Sequence, residues 1–110
     1  MEKIKKYQEI ITALLHEYAN SNTPGMEDQV ILDNLGNHFQ LVTSGWQDGK
    51  YIFLPLFHLD IKPDGKIWLM VNNTDVRIAE ELVQRGVPRT DIVLGFQTEA
   101  LRAYSDYAKA

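Results

Sequence analysis

The sequence contains no cysteine and no long uninterrupted apolar stretch. Without cysteine the chain can form no disulfide, no thiolate metal site and no cysteine nucleophile, which fits a reducing compartment. The apolar segment at residues 10–15 is too short and too interrupted by polar residues for a signal peptide, and no segment approaches the length that spans a bilayer. We therefore expect a soluble, cytoplasmic protein.

An excess of positive charge is also absent. The 11 Lys and Arg residues are outnumbered by 15 Asp and Glu residues, so the formal net charge is −4. Proteins that hold nucleic acid use clustered Lys and Arg to displace its counterions. The one basic cluster, Lys3, Lys5 and Lys6, is interpreted as the solvated start of a helix. The charge balance therefore argues against a general affinity for nucleic acid.

The common catalytic motifs are missing as well. The sequence has no Gly-x-Ser-x-Gly elbow, no phosphate-binding glycine loop and no His-Glu-x-x-His helix. His16, His38 and His58 stand at no spacing typical of metal ligands, although His58 and Asp60 alternate onto one strand face and could in principle share a cation. A structural or surface pair is the preferred interpretation. We predict no catalytic residue, no cofactor and no metal site.

The most informative segment, residues 51–74, is typical of a β-hairpin that leads into a helix. Lys62-Pro63-Asp64-Gly65 predicts the turn, because proline presets φ and Gly65 can adopt the left-handed conformation that closes a three-residue loop. With this loop, the register that pairs apolar residues places Ile61 opposite Ile67, Leu59 opposite Leu69 and Phe57 opposite Val71.

The other face of this hairpin is half polar and carries His58, Asp60, Trp68 and Met70. A tryptophan on a strand is usually a core residue, but Trp68 falls beside polar neighbours, and aromatic anchors are typical of protein interfaces. Trp46, at the end of the preceding strand, is the second tryptophan of this kind. Pro55 lacks a backbone donor and therefore predicts an edge strand or a bulge.

The first half of the chain predicts one helix and two strands. Apolar spacing indicates an amphipathic helix over residues 2–20, which ends in the turn-forming segment 20–25. Strands are predicted at residues 29–33 and 38–46, with turns at 34–37 and 47–50. Two core faces remain open for the second strand, and the first is the more apolar: Phe39, Leu41 and Thr43, or His38, Gln40 and Val42.

The last third predicts a capped helix, a short apolar segment and a weakly helical tail. Thr74 is the predicted N-cap, with Asp75 favourable against the helix dipole. Gly86 is predicted to end the helix in the left-handed conformation, with Pro88 blocking continuation. Residues 90–96 form either an extra strand or a tight turn over the core. In the tail at 99–108 the predicted contacts are Leu101, Tyr104 and Tyr107.

These elements together predict an α+β fold. An antiparallel four- to five-stranded meander sheet packs against an N-terminal helix and one or two C-terminal helices. No repeat, linker or low-complexity segment divides the chain, so residues 1–110 are predicted to form a single domain.

Several motifs, spread over nearly the whole chain, carry a resemblance to a known family. They are Tyr7-x-x-Ile10-Ile11, Gln40-Leu41-Val42-x-x-Gly45-Trp46, His58-Leu59-Asp60-Ile61, Asp64-Gly65-Lys66-Ile67-Trp68, Thr74 with Ile78-Ala79-x-Glu81-Leu82-Val83, Gly86-Val87-Pro88-x-x-Asp91-Ile92-Val93-Leu94-Gly95-Phe96, and the ending with Arg102 and Tyr104. In these motifs the chain resembles the XisI-like family, the fdxN element excision controlling factors of cyanobacteria.

The resemblance implies a small protein of programmed DNA excision during heterocyst differentiation, where a recombinase cuts and rejoins the element and controlling factors permit or direct it. Members of the family are commonly encoded beside XisH-like proteins, which look like endonuclease-fold proteins, so an antitoxin-like pairing with such a nuclease is a further implication. The family offers no catalytic residue to transfer, so the resemblance implies a regulatory protein and not an enzyme.

Two functional hypotheses follow. The preferred one is a regulatory protein that contacts a recombinase or a XisH-like protein, and its predicted partner-binding residues are Trp46, His58, Asp60, Trp68, Met70, Arg102 and Tyr104. The alternative is an accessory factor that binds DNA directly, with a steep salt dependence. A homo-oligomer is a further way to cover the apolar edge of the sheet, and the sequence does not determine its symmetry.

Overall fold

The computed structural model describes residues 2–20, 22–33, 35 and 37–110, beginning with helix α1, Glu2–Tyr18. The helix forms because apolar residues recur every three or four positions, which gives it one apolar stripe. Four residues of that stripe are buried: Tyr7, Ile11, Leu14 and Leu15. The N-terminal helix predicted from the sequence is confirmed, and it ends two residues earlier than expected.

Four antiparallel strands follow one another in a meander. They are β1 (Met26–Asp33), β2 (His38–Gln47), β3 (Lys50–Ile61) and β4 (Ile67–Asn72). The β2–β3 turn has positive φ at both Asp48 and Gly49, the form that matches the twist of a tight hairpin. Of the turn predicted at residues 34–37, positions 34 and 36 lie outside the described residues.

The β3–β4 hairpin has the predicted loop. Gly65 adopts φ 88°, and its N–H donates to the Lys62 carbonyl at 2.8 Å, which closes the three-residue loop. Ile61 pairs with Ile67 and Leu59 with Leu69, as predicted. The third predicted pair, Phe57 with Val71, is wrong. A bulge shifts the register between His58 and Leu59, so Val71 pairs with His58, Phe57 pairs with Asn72, and Met70 is the extra residue of β4.

A second bulge lies at Pro55. Leu41 pairs with Phe57 while Val42 pairs with Pro55, so β3 carries one extra residue at Leu56. Strand β3 is central in the sheet, between β2 and β4. A proline that cannot donate to a ladder is accommodated there because the bulge interrupts the ladder. Of the two placements predicted for Pro55, the bulge is confirmed.

Helix α2 spans Ile78–Gln84 and begins later than its predicted cap. The prediction that Thr74 is the N-cap is wrong, because the helix starts after Arg77 with no side-chain cap. Thr74 instead forms a turn of its own, in which its hydroxyl oxygen accepts the Val76 N–H at 3.0 Å. At the other end Gly86 has φ 103°, and Val87 N–H donates to the Leu82 carbonyl, the arrangement of a Schellman cap.

The chain then adds a fifth strand, the first of the two structures predicted for residues 90–96. A 3₁₀ turn at Arg89–Asp91 leads into β5, Ile92–Leu94, which pairs parallel with β4. The sheet therefore has the order β1-β2-β3-β4-β5, with one parallel pair at its end. A parallel neighbour needs a crossover connection, and α2 supplies it.

The tail contains only one short helix, α3, Glu99–Arg102, capped by the Thr98 side chain. Of the predicted tail contacts, Tyr107 packs against the core. The predicted contacts of Leu101 and Tyr104 are wrong, because both side chains are exposed. The tail docks instead through backbone, since Ala108 N–H donates to the Ile92 carbonyl at 2.8 Å. Leu101, in the four-residue helix, and Tyr104, just after it, have no second layer to pack against.

The core lies between one face of the sheet and the two longer helices. It joins residues of α1, such as Ile11 and Leu14, with sheet residues such as Phe39 and Leu41 and with Leu82 of α2. Of the more apolar predicted core face of β2, Phe39 and Leu41 are buried in this core and Thr43 is half-buried. Of the other predicted face, Val42 is also fully buried. The α+β fold class is confirmed. Across the part of the chain that the structure describes, no helix has the length and apolar character needed to cross a membrane.

Candidate functional site

The face of the sheet opposite α1 carries most of the predicted site residues. Because alternate residues of a strand point to opposite faces, burial of Phe39 and Leu41 under α1 turns His38 to the other side. Cross-strand pairs share a face, so Asp60, the partner of His38, and Trp68, the partner of Asp60, lie there too. We call this side of the sheet the open face.

On the open face, where β2 begins and β3 ends, two imidazoles meet one carboxylate. Nδ1 of His38 lies 2.7 Å from Oδ1 of Asp60, and Nε2 of His58 lies 2.8 Å from the same oxygen. His38 belongs to β2 and the other two residues to β3, so the contact links neighbouring strands. We call His38, His58 and Asp60 the His–Asp–His cluster. The sequence placed His58 beside Asp60, and the structure adds His38.

Asp60 is the buried member of this cluster. Its side chain is 12% exposed, whereas the side chain of His38 is 52% exposed. Burial by itself raises the pKa of Asp60, but hydrogen bonds from His38 and His58 outweigh it, so the pKa lies below its usual value. Asp60 is therefore a carboxylate at neutral pH, held in place by two histidine ring nitrogens.

Trp68 stands next to the cluster and is covered by two cations. The Lys62 ammonium lies 5.6 Å from the centre of the indole ring, and the Arg102 guanidinium lies 5.3 Å from it. Arg102 is fixed by hydrogen bonds to the carbonyl oxygens of Gln97 and Lys109, both at 2.9 Å. Trp68 and Arg102, two predicted site residues distant in sequence, thus join the tail to the open face.

Met70 and Trp68 both lie close to Gly95, the residue that follows β5. A Cβ placed on Gly95 would lie 2.7 Å from the Met70 sulfur and 3.1 Å from a carbon of the Trp68 ring. The absence of a side chain at Gly95 therefore lets β5 pack closely on these two residues. The structure brings together His58, Asp60, Trp68, Met70 and Arg102 in one region of the molecule.

A separate group of aromatic side chains lies at the far end of the β2–β3 hairpin. Trp46 pairs with Tyr51, and their rings meet edge to face at 5.4 Å between centroids. Phe53 follows on the same face of β3. The exposed fractions are 64% for Trp46, 57% for Tyr51 and 58% for Phe53. We call Trp46, Tyr51 and Phe53 the aromatic patch.

Tyr104, the last predicted site residue, lies in the tail and is 89% exposed. The predicted residues therefore do not form one compact site. They divide into the region around Trp68, the aromatic patch with Trp46, and Tyr104 by itself. Their role in partner binding stays a prediction.

Three residues that the sequence did not single out belong to these groups: His38, Tyr51 and Phe53. The sequence did contain a signal for Tyr51 and Phe53. The start of β3 has apolar residues on both faces, which predicts that both faces are covered. His38 had no local signal, since its partner lies 22 positions further along the chain.

Two shallow clefts lie away from these groups. One, of about 410 Å³, runs along polar residues of α1, and the other, of about 350 Å³, lies between β4 and α2. The second cleft borders the contacts that hold the tail. Glu80 accepts two hydrogen bonds from Arg89, both 3.1 Å, and one from the Tyr107 hydroxyl at 2.7 Å. Two residues that line this cleft, Glu80 and Tyr107, therefore hold the tail in place.

The XisI protein family matches residues 1–109. The chain belongs to the XisI family. A XisI-like protein from Anabaena variabilis ATCC 29413, whose structure has been solved, is 49% identical in sequence to this chain. The two structures match with a TM-score of 0.91 over 97% of this chain and 99% of that one. The family resemblance drawn from the sequence motifs is thereby confirmed.

A second member of the XisI family with a solved structure is the fdxN element excision controlling factor XisI from Anabaena variabilis ATCC 29413. It is 29% identical, with a TM-score of 0.84, over 98% of this chain and 99% of that one. Among curated proteins no match was found. The family and its fold are therefore established for this chain. The second solved structure is named as a factor that controls excision of the fdxN element.

Proposed function

We propose that this XisI-family protein is a non-enzymatic, cytoplasmic regulatory factor that controls excision of a DNA element by contacting another protein. The proposed partner is the recombinase that cuts the element or a XisH-like protein. The similarity to a solved excision controlling factor supports the biological role. A controlling factor acts on the machinery that performs the reaction, so the contact surface and not a reactive group is the expected functional part.

The observation that carries this proposal is the aromatic patch. Trp46, Tyr51 and Phe53 are each more than half exposed on one face of a hairpin. Tryptophan and tyrosine are enriched in the centres of protein interfaces, where they bury large areas at little cost in conformational entropy. Exposed clusters of large apolar side chains on a soluble domain are typical of surfaces that another molecule covers.

The charge of the chain supports a protein as this molecule. The net charge of −4 opposes binding to a phosphate backbone. Several cations are also engaged within the fold: Arg89 bonds to Glu80, and Arg85 bonds to Glu17. An acidic protein reaches a DNA element most readily through a partner that itself holds the DNA.

The test is a binding measurement with the purified recombinase and the XisH-like protein encoded in the same genome. We expect a complex with one of them, and Phe53→Ala is expected to weaken it by about 30-fold or more, as for residues at the centre of an interface. Phe96→Ala is the matched control, because Phe96 is similarly exposed but lies beside α2 and outside the aromatic patch.

Two results would contradict the proposal. One is the lack of a complex with either protein. The other is equal weakening by Phe53→Ala and Phe96→Ala, which would deny the aromatic patch a specific role. A gel shift of element-end DNA by this chain alone, lost steeply with rising salt, would favour direct DNA binding instead.

A further inference from the structure

The His–Asp–His cluster has the composition of a metal site. One nitrogen from each of His38 and His58 and a carboxylate oxygen of Asp60 lie within 4.8 Å of one another. Imidazole and carboxylate are the ligands that bind Zn²⁺ and its neighbours in the first transition row, whereas Mg²⁺ and Ca²⁺ prefer oxygen alone. The donor set therefore selects for a transition-metal cation.

The ligands stand on a rigid support. His38 and Asp60 face each other across β2 and β3, and His58 precedes Asp60 by two residues on β3. Both strands lie inside the sheet, with β1 and β4 on their outer sides. Sites built on strands hold their ligands more accurately than sites on loops.

The distances between the three ligand atoms define the movements that a bound cation requires. The two N···O separations are 2.7 and 2.8 Å, because the imidazoles bond directly to the carboxylate. With metal–ligand bonds of about 2.0–2.1 Å, ligand atoms are separated by roughly 2.9–3.3 Å. Each imidazole therefore needs to withdraw from the carboxylate by only a few tenths of an ångström. The two ring nitrogens, which lie within 4.8 Å of each other, must also come closer together, and rotation of the half-exposed His38 side chain can supply this movement.

The charge at the site also favours a cation. Among the described residues, the ion pairs of Asp60 are those with His38 and His58. Lys62 and Arg102, the nearby permanent cations, lie over the Trp68 ring. A carboxylate that is 12% exposed and whose ion-pair partners are both histidines gains more from a bound divalent ion than from two imidazole hydrogen bonds.

We propose that His38, His58 and Asp60 form a binding site for one divalent transition-metal cation, with Zn²⁺ as the reference ion. Three protein ligands leave at least one coordination position for water. The bound ion links the start of β2 to the end of β3 on the open face. This site shares no residue with the aromatic patch, on which the proposed function rests.

The test uses the untagged full chain, stripped with chelator and titrated at neutral pH. Calorimetry with ZnCl₂ is expected to give one bound equivalent, and Co²⁺ is expected to give the visible absorption of a site with nitrogen ligands. His38→Gln is the principal variant, because its exposed side chain can be changed with little effect on folding. We expect it to weaken binding by about 10–100-fold or more. Circular dichroism verifies that this variant is folded.

His16→Gln is the matched control, since His16 is an exposed histidine on α1. It is expected to bind Zn²⁺ like the unchanged protein. The melting temperature supplies an independent readout, because a ligand of the folded state raises it. Zn²⁺ is expected to raise the Tm of the unchanged protein and of His16→Gln, but not of His38→Gln. The proposal is overturned if no binding tighter than about millimolar is found, or if His16→Gln and His38→Gln behave alike.

Discussion

At the scale of single residues, the molecule leaves few polar groups unsatisfied. Among the residues that the structure describes, every buried side-chain nitrogen or oxygen has a hydrogen-bond partner. Asp60 is one example, and Tyr7 is another. Tyr7 is nearly buried, and its hydroxyl donates to Asp91 at 2.5 Å, while Lys3 lies 3.1 Å from the same Asp91 oxygen. These contacts join the first turns of α1 to the 3₁₀ turn before β5.

Replacing Tyr7 by phenylalanine tests this contact. Tyr7→Phe removes the donor to Asp91 and is expected to lower the free energy of unfolding by about 1–2 kcal/mol at neutral pH. Burial, together with the bond to Asp91, raises the pKa of Tyr7 far above its usual value of about 10. As the pH rises above 10, the unfolded chain therefore loses this proton while the folded chain keeps it, and the stabilisation by Tyr7 declines.

Urea unfolding between pH 8 and 11 measures the effect. The difference in stability between the unchanged protein and Tyr7→Phe is expected to be largest below pH 10 and to narrow above it. Tyr104→Phe, at an exposed tyrosine, serves as the control with little effect. A difference that stays constant across this pH range would show that the ionisation of Tyr7 is not linked to folding.

At the scale of the elements, close backbone approach shapes the β2–β3 hairpin. Gly45 has φ 148°, and a Cβ built on it would lie 1.9 Å from the carbonyl oxygen of Gly25. That carbonyl accepts the N–H of Trp46 at 3.2 Å. Only glycine permits such contact between two backbones. The start of β1 is thereby held against the end of β2, beneath the aromatic patch.

Gly45→Ala is therefore expected to be strongly destabilising, by about 3–5 kcal/mol, because it adds both a clash and an unfavourable φ. Gly49→Ala is the matched variant. Gly49 also has a positive φ, 77°, but nothing lies within 4 Å of its added Cβ, so we expect a cost of only about 1–2 kcal/mol. Thermal unfolding of the two variants measures the difference, and equal costs would refute the role assigned to the Gly25 contact.

At the scale of the whole molecule, the two faces of the sheet differ in what covers them. The face under α1 and α2 is packed, with Leu41 fully buried. The open face is covered near β5 by Arg102 and the tail, whereas the aromatic patch at the other end is exposed. Large apolar side chains of the packed face therefore hold the fold together, whereas those of the aromatic patch stay exposed.

The two faces should respond differently to truncation of a large side chain. Leu41→Ala is expected to cost about 2–5 kcal/mol of stability, because it leaves a cavity in a closed core. Phe53→Ala is expected to cost less than about 1 kcal/mol, since Phe53 is 58% exposed. Chemical denaturation of both variants measures this. A large loss from Phe53→Ala would mean that the aromatic patch supports the fold itself.

Prediction from the sequence succeeded where the determining contacts are local. The Pro63-Asp64-Gly65 loop and the end of α2 at Gly86 follow from backbone preferences within a few residues. It failed where two local arrangements compete and where distant chain segments decide. Thr74 has the chemistry of a helix cap but forms a separate turn, and the bulge beside His58 moves Val71 out of the expected pair. Tyr104 is exposed because the tail has no further layer to contact.

By itself, the sequence determined the α+β fold, the meander and the family. It also determined that His58, Asp60 and Trp68 lie on one face of the sheet. The fold and this placement follow from the alternation of side chains along a strand and from turn chemistry, which act over short distances. Only the tertiary structure decided that His38 joins Asp60 and that Arg102 lies on Trp68. Those contacts span 22 and 34 positions of the chain, and they depend on the register between strands and on the path of the tail. No local preference determines either.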